Sequence, residues 1–257
     1  MTAIRDRLSA VGRPLVVAHR GASRRAPENS LEALRLAREE GADGVEFDVQ
    51  QCSTGELVVF HDRTLARCTG QVGTHTQTPL DALRRLTLDR DAAHYGLPST
   101  GARIPTLAEW LAEVPADFVI NLEVKVESLA EAHVAGSCVD ALEQAGVATR
   151  SVVSSFLPAA LMAVTSRRID RGALVESGPA WRWALGAGLL ARPSSVHPEA
   201  RLATLLRVRL WHAAGYRVCV WTVDAPDEVR RCLDAGVDVV ITNRPDIVRP
   251  IAERFRR

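Results

Sequence analysis

Short β-branched runs alternate with longer stretches of helical periodicity along most of the chain, as expected of repeated βα units on a parallel sheet. Eight runs read as strands: Leu15–Ala18, Val45–Val49, Phe118–Val124, Ser151–Ser155, Gly172–Val175, Ser194–His197, Arg217–Trp221 and Val237–Ile241. Helical patterns follow most of them, over Ser30–Glu40, Leu129–Ala145, Glu199–Ala214 and Pro226–Ala235. These helices stop at Gly41, Gly146, Gly215 and Gly236, where a left-handed cap turns the chain into the next strand. Eight such units predict a closed α/β fold, a (β/α)8 TIM barrel over residues 14–254, rather than an open doubly wound sheet. No GxGxxG follows the first strand, so a dinucleotide fold has little support.

One stretch breaks the rhythm. Between Val49 and Phe118 lies more chain than a single helix needs. A hairpin-like Thr54-Gly55 precedes the apolar run Leu57–Phe60, and an irregular segment over residues 62–104 follows. We read that segment as an insertion after strand two, most of it over the barrel mouth; long irregular insertions in compact domains are commonly functional. Thr106 and Glu109 form a capping box that restarts the regular pattern.

In such a barrel the active site lies at the C-terminal ends of the strands, so those ends are where chemistry is sought. Strand one ends in His19-Arg20 before Gly21, and strand three carries Glu123 and Lys125. Strand two carries Glu46 and Asp48, two residues apart and therefore on one face. His61-Asp62 closes the run Leu57–Phe60, strand seven ends in Trp221-Thr222-Val223-Asp224, and strand eight ends in Thr242-Asn243. Periodicity alone leaves Glu46 and Asp48 two orientations, into the mouth or outward with Val45, Phe47 and Val49 inside. His61, taken alone, reads as an ordinary loop histidine.

Three carboxylates converging on one mouth would repel one another, and a hard divalent cation with oxygen ligands, Mg²⁺ or Ca²⁺, is the simplest compensation. Two histidines supply a general base and a general acid, while Arg20 and Lys125 suit an anionic substrate. The chemistry by itself points to metal-assisted cleavage of a phosphate ester. Glu28 and Asn29 read as caps for the helix from Ser30, with Glu28 also within reach of His19 or Arg20. His197 reads as structural or as pocket lining. Trp181 and Trp183 read as shaping a pocket or meeting a lipid surface.

Composition narrows the picture. The 257 residues are 47% apolar and 25% charged with a net charge of +1, so nothing suggests a nucleic-acid groove or a polybasic membrane anchor. Five cysteines without a CxxC pair argue against a zinc site and a disulfide framework. With no signal-peptide core at the start and no apolar run long enough to span a bilayer, a cytoplasmic protein is expected. Oligomeric state is left open.

The segments HRGAS, APENS, GADGVEFDV, LVVFHD, IPTLAEWL, NLEVK and WTVD, in that order and spacing, together resemble the glycerophosphodiester phosphodiesterase family. They run from His19 to Asp224, most of the chain. The resemblance implies a TIM barrel with a small insertion after strand two. It also implies hydrolysis of a small-molecule glycerophosphodiester to glycerol 3-phosphate and an alcohol. Carried over by position, it implies that His19 and His61 are the acid–base pair and that Glu46, Asp48 and Glu123 are metal ligands. Arg20 and Lys125 would face the phosphate, and Trp221 would line the glycerol pocket. It further implies attack by the neighbouring glycerol hydroxyl to give a cyclic phosphate that water then opens. Two positions depart from the family pattern: Ser53-Thr54-Gly55 replaces a common Thr-Lys-Asp-Gly turn, and Asp224 stands where Asn is frequent. Two other functions remain open on the same residues: a lysophospholipase D or sphingomyelinase D-like phosphodiesterase, and a non-catalytic barrel that binds a phosphodiester.

Overall fold

The computed structural model describes residues 3–179 and 181–255, with the side chains of residues 91, 92, 94 and 182–184 left out of the description. Its strands are β1 (Leu15–His19), β2 (Gly44–Gln51), β3 (Leu57–Val59), β4 (Val119–Val124), β5 (Ser151–Ser155), β6 (Asp170–Val175), β7 (Ser195–Pro198), β8 (Arg217–Val220) and β9 (Val239–Thr242). All but β3 run parallel, and β1 pairs with both β2 and β9, which closes eight strands into a TIM barrel. The short β3 lies antiparallel on β2, outside the ring.

The period-2 alternation decides what the barrel holds. Val45, Phe47 and Val49 pack outward with helix residues such as Leu34, Trp110 and Leu142, and Phe47 meets Trp110 with ring centroids 5.0 Å apart. Glu46 and Asp48 therefore face inward. Reading up a strand, inward positions change from apolar to polar, as in Leu15, Val17, His19 on β1 and Val119, Asn121, Glu123 on β4. The apolar lower layer is sealed by the N-terminal helix Ala3–Val11, whose Ile4 and Leu8 pack on Leu15, Val17, Val119, Val152 and Ile241. The upper layer is left polar and open.

The helices Leu31–Glu39 and Pro226–Asp234 start and stop within a residue of where the pattern predicts. The helix Leu31–Glu39 is capped by Ser30, whose side chain accepts from Ala33 N, so Glu28 and Asn29 are not its caps. The capping box of Thr106 and Glu109 is present in full. Gly41, Gly146, Gly215 and Gly236 all adopt left-handed backbone. Two expected helices are divided. Residues 199–214 form a 3-10 turn, Ala200–Leu202, and a helix, Leu205–Ala213, because Ala203 is non-helical and Thr204 caps the second piece. Residues 129–145 likewise form the turn Leu129–Glu131 and the helix His133–Gln144.

The chain between β3 and the helix Leu107–Glu113 has its own small core, built from Phe60, Leu65, Cys68, Leu83, Leu88 and Ile104. Its Arg63, His75 and Thr76 line an outer cavity that shares His61, Glu123, Lys125 and Phe156 with an inner one, and no described residue of the segment beyond His61 lines the inner cavity. No helix among the described residues is long and apolar enough to cross a membrane.

Candidate active site

Register places the polar upper layer in one ring. Across β1 and β2, His19 is level with Glu46; across β2 and β4, Glu46 is level with Asn121 and Asp48 with Glu123. One oxygen from each of Glu46, Asp48 and Glu123 lies within 4.8 Å of the others, and all three residues are buried. Glu46 Oε1 and Asp48 Oδ1 are buried oxygens without a hydrogen-bond donor among the described residues. Such orphaned acceptors are costly unless something fills the place of the missing donor. A hard cation fits: the donors are all carboxylate oxygens, and the orphaned ones belong to the same cluster.

The electrostatics of the three differ. Burial, then the charges of Asp48 and Glu123, push the Glu46 pKa well above the usual carboxylate range. Burial and Asp48 raise Glu123 too, against the pull of Lys125. Burial acts the same way on Asp48, but the Arg20, His61 and Lys125 charges outweigh it and hold this carboxyl below its ordinary value. The cluster thus carries one firmly ionised carboxylate and two whose charge is resisted, a balance that a divalent cation would relieve.

Arg20 sits where β1 breaks. Its backbone is left-handed (φ 56°), held by its N–H donating to Glu46 O at 2.8 Å and its carbonyl accepting from Asn29 N at 3.0 Å. A non-glycine residue in this region costs of order 1–3 kcal/mol, tolerated where the surroundings over-determine it. Gly21 follows at φ 81°, and a Cβ there would come within 2.6 Å of Ala33, so only glycine lets the next helix approach this closely. The Arg20 guanidinium pairs with Asp48 at 3.1 Å and Glu28 at 3.0 Å. Lys125 Nζ lies 2.8 Å from Glu123 and 3.6 Å from Asp48. Asn29 donates its side-chain amide to Asp48 Oδ2 at 2.9 Å.

The two histidines face one cavity of about 270 Å³ together with Arg20, Glu46, Glu123 and Lys125. His19 Nδ1 meets Asn243 Oδ1 at 2.7 Å, and burial, then the Arg20 charge, push its pKa down to about 4. His61 Nδ1 meets Asp62 Oδ1 at 2.6 Å, and Arg67 clamps Asp62 and Glu28 at once. Trp221 donates its indole N–H to His197 O at 2.7 Å and stands edge-on to Phe156, centroids 5.7 Å apart; both rings line the cavity. His197 itself is buried in the barrel, bonded to Ser195 and held down to about 3 by desolvation. Trp181 opens a helix and lies under the Arg207 guanidinium, 4.7 Å from its ring centroid, packed on the outer core away from this cavity. The Trp183 side chain lies outside the described residues.

All eight candidate residues, His19, Arg20, Glu46, Asp48, His61, Glu123, Lys125 and Trp221, thus gather at one end of the barrel. Sequence reasoning misses others. Asn121 and Ser154 form the cavity floor, each with a buried oxygen that has no partner among the described residues. Phe156 and Arg67 carry no local signature, although an exposed Phe just past β5 is a usable hint.

The model of the glycerophosphoryl diester phosphodiesterase family matches residues 19–247. The chain belongs to this family. Its relatives include a glycerophosphodiester phosphodiesterase of Caldanaerobacter subterraneus subsp. tengcongensis, 33% identical over 236 residues, which span 90% of this chain and 95% of that one. Another, from Bacillus altitudinis, is 29% identical over 94% of this chain and 99% of its own. Among solved structures, an Oleispira antarctica phosphodiesterase in complex with the product sn-glycerol-3-phosphate superposes with a TM-score of 0.83 at 28% identity, covering 98% of this chain and all of that one. As a member of the glycerophosphoryl diester phosphodiesterase family, the chain is a phosphoric diester hydrolase.

Proposed function

We propose that the chain hydrolyses glycerophosphodiesters to glycerol 3-phosphate and an alcohol, with Glu46, Asp48 and Glu123 holding Mg²⁺ or Ca²⁺ and His19 and His61 moving the protons. The observation that carries this reading is the convergence of three buried carboxylates, two with orphaned oxygens, on a cavity that both histidines face. When bound, the cation would lend positive charge and Lewis acidity to the phosphoryl oxygens. Arg20 and Lys125 orient the phosphate and offset its charge. One histidine takes the proton of the attacking hydroxyl, that of the neighbouring glycerol carbon, while the other gives a proton to the leaving alcohol. Water then opens the cyclic phosphate with the proton movements reversed. Trp221 and Phe156 wall the glycerol side with apolar surface.

A cavity of about 270 Å³ with Asn121 and Ser154 at its floor suits a glycerophosphate headgroup. A mere phosphodiester binder has no use for two positioned histidines. The five cysteines are all buried free thiols, which suits a reducing compartment and supports a cytoplasmic location. A panel of glycerophosphodiesters and their acylated analogues, incubated with purified protein and Mg²⁺ or Ca²⁺, tests the reading. Release of glycerol 3-phosphate from the deacylated substrates is expected; a protein that leaves them all intact, or prefers the acylated ones, would overturn it.

A further inference from the structure

We propose that Asp224 and Asn243 act as positioning residues that fix the tautomer of His19, keeping its Nε2 unprotonated toward the cavity and making His19 the proton acceptor of the pair. The catalytic part of this inference rests on the function proposed above; the tautomer does not.

Asp224 does not point into the cavity. The loop after β8 is pinned to β9 by Val223 N donating to Ile241 O at 3.0 Å, which turns Asp224 toward the end of β9. There its carboxylate accepts three hydrogen bonds: from Thr242 Oγ1 at 2.9 Å, from Asn243 N at 2.8 Å and from Asn243 Nδ2 at 2.8 Å. An ionised carboxylate only accepts, so the Asn243 side-chain amide must turn its NH₂ to Asp224 and its oxygen the other way. That oxygen accepts from Ser23 Oγ at 2.8 Å and faces His19 Nδ1 at 2.7 Å. A carbonyl oxygen cannot donate, so the hydrogen in the second contact is carried by Nδ1. In a neutral imidazole the other nitrogen then keeps its lone pair. Nε2 lies 3.8 Å from Glu46 Oε2, too far for a hydrogen bond, and is free to take a proton from a hydroxyl in the cavity.

His61 is held differently. Its Nδ1 faces a carboxylate, Asp62, instead of a neutral amide, and that carboxylate is fixed by Arg67. Nδ1 of His61 is thereby fixed from the side away from the cavity, and its role as the proton donor follows from His19 taking the acceptor role. The departure of Asp224 from the family pattern therefore bears on the orientation of His19 rather than adding charge to the mouth.

Long-range ¹H–¹⁵N correlation spectra of the imidazoles, with His19 identified by its loss in His19→Gln, test the positioning, and steady-state turnover of glycerophosphocholine tests its consequence. Wild type should show His19 protonated at Nδ1. Asp224→Ala frees the amide to turn, so the two ¹⁵N signals should converge or exchange character, with kcat lower by about 10- to 100-fold and KM within about twofold, as for a mispositioned base. Asn243→Ala should do the same, and Asp224→Asn, the variant least disturbing to the fold, should recover part of both. A wild-type His19 protonated at Nε2 overturns the proposal. So do variants that lose thermal stability while keeping the Nδ1–H spectrum. A wild type inactive on every glycerophosphodiester removes the proposed function, and the spectra then decide the positioning alone.

Discussion

The barrel buries carboxylates at both ends and treats them in opposite ways. At the bottom, Asp43 is 1% exposed, and both its oxygens are used: Arg13 pairs with it bidentately at 2.7 Å, Arg249 adds a contact at 3.0 Å and Val16 N another at 2.9 Å. At the top, Asp48 is 0% exposed, yet one oxygen has no hydrogen-bond donor among the described residues, only Lys125 Nζ at 3.6 Å, and neighbouring Glu46 and Glu123 resist ionisation. The bottom also opens on a larger cavity, about 600 Å³, so cavity size does not separate the two ends. Satisfaction does. A buried carboxylate that has all its donors holds the structure together, and one that lacks them marks a place kept for a ligand.

Removing a carboxylate from each end should break the molecule in different ways. Glu46→Gln or Glu123→Gln should lower kcat/KM by about 10³-fold or more, since several kcal/mol of charge stabilisation goes with a lost ligand. Unfolding in urea should show either variant as stable as wild type without added metal, or more so, because like-charge repulsion is relieved. Asp43→Ala should do the reverse, losing about 3–5 kcal/mol by leaving Arg13 buried and unpaired, with kcat per folded molecule unchanged.

Metal and pH sharpen the contrast. At a free Mg²⁺ or Ca²⁺ concentration 100 times its Kd, wild type should gain about 2.7 kcal/mol of stability, and Glu46→Gln much less. Because the folded-state pKa of Glu46 lies above its ordinary value of 4.5, its contribution to stability is whole below that pH. It is lost as pH rises through the folded value. Metal-free wild type should therefore weaken as pH climbs above 4.5, and Glu46→Gln should flatten that decline. The smallest effect belongs to neither end: Arg35→Ala, which removes an exposed pair with Glu113, should cost less than about 1 kcal/mol.

What sequence reveals of this molecule follows the range of the forces involved. The eight barrel strands are legible because β-branched runs bounded by helical patterns are local signals, and the observed strands differ from them only at their ends. The split of residues 199–214 is not legible from apolar spacing, since it turns on the cap Thr204 and the backbone of Ala203. Within the site, His19, Glu46, Asp48, Glu123 and Lys125 show themselves by their place at strand ends. The inward turn of Glu46 and Asp48 needs the packing of Phe47 on Trp110 to decide it. Asn243, Arg67, Asn121 and Ser154 gain meaning only from partners far away in the chain. Arg67, for one, is 39 residues from the Glu28 it clamps.

The proposed function requires the under-satisfied carboxylates at the top to hold a cation on which turnover depends. Its most direct test is glycerol 3-phosphate release from glycerophosphocholine by metal-stripped protein, before and after Mg²⁺ or Ca²⁺ is restored, in wild type and Glu46→Gln side by side. Turnover should vanish on stripping and return with metal in wild type alone. Undiminished turnover by the stripped wild type would contradict that requirement.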